Sequence, residues 1–112
     1  MATVVTPVRF YGNVPGTTDI AVYTVPASQI DVVTGIAINN NTDVAAQVSV
    51  KFAGGSFPVG GTFFVKNLDV PPRSLIALDT KTVLNTTETI NVFQNTASAC
   101  SILISGVKVN EV

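Results

Sequence analysis

The clearest signal along the chain is an alternation. Within residues 45–53, Ala46, Val48, Val50 and Phe52 fall on one side, and Gln47, Ser49 and Lys51 on the other. A period of two places successive side chains on opposite faces of an extended strand, so this segment predicts a β-strand with one face towards a core. No long window keeps apolar residues at the i, i+3, i+4, i+7 spacing of an amphipathic helix. Val, Ile, Thr, Phe and Tyr dominate instead, and these side chains fit a pleated, half-buried surface. Gly, Pro and Asn interrupt them at short intervals, as turns require.

The pattern predicts strands over residues 3–11, closed by Gly12-Asn13 and Pro15-Gly16, and over 20–25, stopped by Pro26. A third covers 30–39 and runs into Asn39-Asn40-Asn41-Thr42-Asp43, a turn in which Asn tolerates left-handed backbone angles. The fourth covers 45–53, and a loop over 54–61 holds Phe57-Pro58 between two glycine pairs. The fifth covers 62–70 and ends at Pro71-Pro72. The sixth covers 74–78, with an extension to Leu84 after a bend at Asp79-Thr80, and the seventh covers 87–94. In the last, 99–109, Cys100, Ile102 and Ile104 share a face before Gly106 shifts the phase to Val107 and Val109. A glycine at a phase change predicts a β-bulge. Short strands at regular spacing predict an all-β fold, a single β-sandwich or jelly-roll-like domain of about eight antiparallel strands. No linker or charge run divides residues 1–112, so one domain is expected.

Composition changes the picture of the surface. Apolar residues make up 46% of the chain and charged residues 12%, against about 25% charged in a typical soluble domain. Thr, Ser, Asn and Gly must cover the exterior, and such a surface has little electrostatic repulsion to keep copies apart. That predicts a subunit packed against other protein, although Thr- and Asn-rich secreted β-domains share the composition. Net charge is −1, and Arg9, Lys51, Lys66, Arg73, Lys81 and Lys108 are scattered. Binding a phosphate backbone needs clustered cations, so nucleic acid is not an expected partner. No segment approaches the ~18–20 apolar residues of a membrane span, and the N-terminus lacks the basic start and apolar run of a signal peptide. Neither a membrane nor export is expected. The lone Cys100 cannot form an intrachain disulfide, and its apolar surroundings mark it as a small buried hydrophobe.

Candidate chemistry is sparse. The chain has no His, which removes the commonest general base and metal ligand. One Cys cannot build a thiolate metal cluster. Most of Asp19, Asp31, Asp43, Asp69, Asp79, Glu88 and Glu111 lie at expected turns or strand ends, and no Trp is present to stack on a sugar. Residues 39–43 offer oxygens to calcium but only one charge, without the spacing of a calcium loop. The Gly54-Gly55 and Gly60-Gly61 pairs lack the Lys-Ser/Thr and following helix of a phosphate loop. No enzyme activity, cofactor or metal is therefore expected.

Two features point to protein partners. Phe63-Phe64 lies on an expected strand. Adjacent strand residues face opposite ways, so one ring enters the core and the other is covered by another element or a neighbouring subunit. The N-terminal stretch is apolar and strand-like, with Val4, Val5 and Val8 as contact candidates. Residues 1–11 read as an arm able to exchange into a neighbour's sheet edge. Ordinary packing within the chain accounts for both features equally well.

The run Val22-Tyr23-Thr24-Val25-Pro26-Ala27, then Val33-Thr34-Gly35-Ile36-Ala37-Ile38-Asn39-Asn40, resembles small virion proteins of tailed bacteriophages. So do Val70-Pro71-Pro72, Leu78-Asp79-Thr80-Lys81, Val83-Leu84-Asn85 and the closing Ile102-Leu103-Ile104-Ser105-Gly106-Val107. The resemblance spans about residues 21–109. Two places depart from it: Ser28 stands where Gly is usual, and Thr86-Thr87-Glu88 replaces a common Ala-Gly-Asp. The resemblance implies a non-enzymatic structural protein of the virion, made in the host cytoplasm. A capsid decoration or cement protein that stabilises the assembled shell is the leading expectation. A tail, neck or fibre-associated component is the alternative. A carbohydrate- or receptor-binding module is a third reading, weakened by the absent Trp and only two tyrosines. The implied partners are copies of itself, with a trimer favoured by virion symmetry, and other virion proteins such as the major capsid protein.

Overall fold

The β-branched runs become strands and the Gly, Pro and Asn clusters become the turns between them. The computed structural model describes residues 3–55 and 57–111, with side chains from residue 5 to residue 109. Among the described residues the strands are β1 (Thr3–Asn13), β2 (Ile20–Thr24), β3 (Gln29–Asn40), β4 (Ala46–Ala53), β5 (Thr62–Val70), β6 (Ser74–Leu84), β7 (Thr89–Gln94) and β8 (Cys100–Glu111). They form two four-stranded sheets, ordered β1-β8-β3-β6 and β2-β7-β4-β5. Every pairing is antiparallel. β1 pairs with β8, β2 with β7, β3 with β6 and β4 with β5, so the chain is one long hairpin wrapped around a core. This is the jelly-roll arrangement, and the all-β sandwich read from the sequence is the fold.

The alternation decides what faces inward. β6 alternates half-buried and exposed positions along its length, and β7 alternates half-buried and buried ones. Ile36, Ile38, Ile102 and Ile104 of one sheet oppose Val48, Val50, Ile90 and Val92 of the other, all essentially inaccessible. Each such side chain contributes roughly 1.5–3 kcal/mol by leaving water.

Several boundaries and turns differ from the sequence reading, each for a local reason. β1 continues through Gly12-Asn13, because both residues still pair with Leu103 and Ile102 of β8. Residues 74–84 form a single strand, and the expected bend at Asp79-Thr80 is a bulge: Asp79 pairs with Gly35, and Thr82 next with Val33. The bulge expected on the last strand lies instead on its two neighbours. The register shifts fall between Arg9 and Tyr11 on β1 and between Val33 and Gly35 on β3. Gly106 serves close approach: a Cβ there would overlap the Val32 carbonyl and come within 2.9 Å of the Phe10 ring.

The turn at 39–43 is made by a side chain, not by left-handed Asn. None of its residues is among those with positive φ. Asn40 is fully buried. Its amide donates to the carbonyls of Val44 (2.9 Å) and Val70 (3.2 Å), and its oxygen accepts from the Thr42 backbone N–H (3.0 Å) and hydroxyl (2.7 Å). Gln94 does similar work near the same end, donating to Pro15 O (2.7 Å) and accepting from Cys100 N (2.8 Å). At the opposite end the buried Asp31 accepts from Tyr23 Oη (2.5 Å) and Gln29 Nε2 (2.6 Å). Burial, then the Asp31 carboxylate, pushes the Tyr23 phenol far above its ordinary value.

Both departures from the phage-protein pattern fall on left-handed backbone. Ser28 has φ 61° and Thr87 φ 73°, where a β-branched residue is the more strained. β7 accordingly starts at Thr89, two residues later than the sequence pattern predicts. Thr87→Gly should remove about 1–3 kcal/mol of strain and cost about 0.5–1 kcal/mol in unfolded-chain entropy. The expected net gain of ~1 kcal/mol corresponds to a melting temperature some 4–8 °C higher; a lower melting temperature contradicts this account. Gly106→Ala should lose ~3 kcal/mol through overpacking, read as an earlier urea midpoint, because the overlapping atoms are backbone and aromatic ring.

Candidate assembly surface

The two sheets differ in what they turn outward. Register places the outward residues of the β1-β8-β3-β6 sheet in rows across the strands. One row is Pro7, Val107, Val32 and Val83; the next is Arg9, Ser105, Gly35 and Asp79; a third is Gly12, Leu103, Ala37 and Ala77. Val5, Val109 and Ile30 extend this face at one end. Val5, Ile30, Leu75, Val83 and Leu103 are each between 42% and 64% exposed, so this face is largely apolar and uncovered. Its charged side chains, among the described residues, are Arg9, Asp79 and Lys81 at the two edge strands. The small residues beside Leu103 leave an open groove of about 390 Å³, lined by Arg9, Gly12, Val14, Ala37, Leu75 and Leu103 among others.

The β2-β7-β4-β5 sheet covers its own exterior. Ser49 and Lys51 are buried although they face away from the core. The Ser49 hydroxyl accepts from the Asn67 N–H (2.9 Å) at a bulge where Asn67 takes φ 53°. Lys51 forms an ion pair with Asp19, which also accepts from Asn91 Nδ2 (2.9 Å). Phe63 lies on this face against Phe93, with ring centroids 6.3 Å apart and the planes at 72°. The Lys66 and Lys51 ammonium groups stand 5.1 and 5.7 Å from its centroid. Such cation–π contacts hold the lysine stems over the ring.

The five residues named from the sequence therefore separate. Phe64 points to the core, 6.2 Å from Phe52 between ring centroids. Phe63 points outward, and its own chain half-covers it. Val8 packs against the core, whereas Val5 sits on the exposed apolar face. Val4 pairs with Asn110 through β1, and its side chain lies outside the described residues. β1 itself is paired to β8 within the chain from Thr3 to Asn13.

Sequence reasoning passed over Ile30, Leu75, Val83, Leu103, Arg9 and Asp79. A signal for the apolar members was present: Ile102-Leu103-Ile104 and Leu75-Ile76-Ala77-Leu78 are unbroken apolar runs. A strand covered on both faces reads as such a run, not as an alternation. Among the described residues no cluster of three or more His, Cys, Asp or Glu could hold a metal ion. Cys100 is buried, and burial raises its thiol pKa.

No protein-family model matches the sequence, and no curated protein matches it. Solved structures do match in fold. A chain in the structure of infectious bursal disease virus, Gx strain, aligns over 96% of this chain with a TM-score of 0.56 and 7% identity. A chain in the crystal structure of the T13 IBDV viral particle aligns over 96% with a TM-score of 0.53 and 9% identity. The present chain spans about a third of the length of each, 32% and 30%. At this identity the likeness establishes the fold alone.

Hydrogen bonds from Lys51, then from Asn91, hold the Asp19 carboxyl below the ordinary aspartate range against a smaller opposing effect of burial. A depressed folded value stabilises above the unfolded value of about 3.9 and is lost as pH falls through the folded one. Asp19→Asn should therefore be less stable than wild type at pH 7, the two converging below about pH 4. Urea melts from pH 7 to pH 2.5 test this, and a gap that stays constant contradicts it.

Proposed function

We propose that the chain is a non-enzymatic structural protein of a virion, and within that class a capsid decoration or cement protein of the kind tailed bacteriophages carry. The observation that carries this reading is the uncovered apolar outer face of the β1-β8-β3-β6 sheet on a jelly roll. Five large apolar side chains at 42–64% exposure on one face are ordinary for a surface that other protein covers and costly for a free monomer. Likeness in fold to chains of a viral particle supports the same class. The phage assignment is supported by the Tyr23-Thr24-Val25-Pro26 and Ser105-Gly106-Val107 patterns.

Mass action supplies the mechanism. A subunit that binds the assembled shell and not its dissociated parts stabilises each site by RT ln(1 + [L]/Kd), about 2.7 kcal/mol at a hundred times Kd. Many identical sites multiply that gain over the particle. Exchange of residues 1–11 between copies belongs to the same proposal, since β1 is an edge strand. Purified protein mixed with undecorated phage shells should co-sediment with them and raise their heat resistance. Leu103→Lys should weaken both effects by ~10-fold or more, the size of effect a charge buried in an interface produces. Wild-type protein that stays in the supernatant and leaves shell melting unchanged overturns the reading.

A further inference from the structure

The apolar face is also patterned, and the pattern selects an occupant. Its row of polar and charged residues carries Arg9 on edge strand β1 and Asp79 on the opposite edge strand, β6. Arg9 and Asp79 are both exposed. Apolar rows lie on either side: Pro7, Val107, Val32 and Val83 towards one end, and Gly12, Leu103, Ala37 and Ala77 towards the other.

We propose that this face is the contact between two copies of the chain, stacked sheet to sheet about a two-fold axis parallel to the strands. The pairing rests on the reading above only for its premise that protein covers the face. It gives that place to a second copy, so that a shell is bound by the dimer through its remaining surface and Leu103→Lys weakens shell binding by splitting the dimer. An axis along the strands preserves position along each strand and reverses strand order. β1 of each copy then crosses β6 of the other, and β8 crosses β3. Arg9 of one copy faces Asp79 of the other, and the reciprocal pair forms at the opposite edge. Each apolar row faces its own reverse. Leu103 of each copy falls over Ala37 of the other, at the groove lined by Gly12, Ala37 and Leu75. An axis across the strands through the charged row sets Arg9 against Arg9 and Asp79 against Asp79, which like-charge repulsion opposes. Lys81 follows Asp79 two positions along the exposed side of β6, and its long stem can carry the ammonium to solvent at the sheet edge.

The area is adequate. Four strands at ~4.8 Å spacing and some 11 residues at ~3.3 Å each give a flat footprint of about 700 Å² per copy. Two copies would bury on the order of 1,400 Å², inside the ~1,200–2,000 Å² of standard specific interfaces. Aligned sheets stack about 10 Å apart at roughly −30° in sandwiches, and the proposed contact repeats that packing between molecules.

Sedimentation equilibrium on the full chain at micromolar concentration tests the pairing. Wild type should have the mass of a dimer. Arg9→Glu and Asp79→Arg should each weaken dimerisation about 10- to 100-fold, because each replaces two attractive contacts with two repulsive ones. The double variant R9E/D79R should recover most of the loss, since it restores both pairs with the charges exchanged. Val59→Lys, in the loop between β4 and β5, should leave the dimer intact, and thermal melts show which variants remain folded. A monomer, a trimer, or a double variant no tighter than either single overturns the pairing. A monomer that still binds shells leaves the decoration reading standing. A charge-dependent dimer that ignores shells removes decoration and keeps the pairing.

Discussion

A sheet with two apolar faces needs two covers, and this chain folds over only one of them. The central strands β8 and β3 carry isoleucines inward and Leu103, Val107, Val109, Ile30 and Val32 outward. The inner face is buried against the second sheet. The outer face stays exposed, because the other strands of the jelly roll have already been used to build that second sheet. Everything proposed about assembly follows from this imbalance.

The second sheet shows what a self-sufficient exterior looks like in the same molecule. It places Lys51, Asp19, Asn91, Ser49 and Asn67 outward and connects them by hydrogen bonds, and it lays lysine stems over Phe63. Polar groups are also spent at the ends of the sandwich, where Asn40, Gln94 and Asp31 satisfy turn and strand-end groups that would otherwise be buried without partners. With only 12% charged residues in the chain, few remain for the outer face of the first sheet. Those few stand at its two edges.

The strands were legible because their period of two is a local property. Residues 62–70 and the alternation in β4 can be read directly from the sequence. Strand partners were not legible, because the nesting of β1 with β8 and β2 with β7 depends on contacts far apart along the chain. The outward role of Phe63 followed from parity, but not its cover, which comes from Lys66, three positions along where the β4–β5 register is irregular, and from Phe93 on another strand. The exposed apolar face was the hardest part to read. Its apolar residues lie in unbroken runs where one parity fills the core, so the second parity is easily taken as more of the same core. Arg9 and Asp79 are 70 positions apart in sequence and come to a common row only through two intervening strands.

Hydroxyl-radical footprinting read by mass spectrometry tests the central claim most directly, comparing dilute protein with protein in its assembled state. The account predicts that Val5, Ile30, Leu75, Val83 and Leu103 lose labelling several-fold on assembly, while the loop residue Val59 keeps its reactivity. Unchanged labelling at all five, with protection appearing at Phe63 and Phe93, would place the contact on the wrong sheet and contradict it.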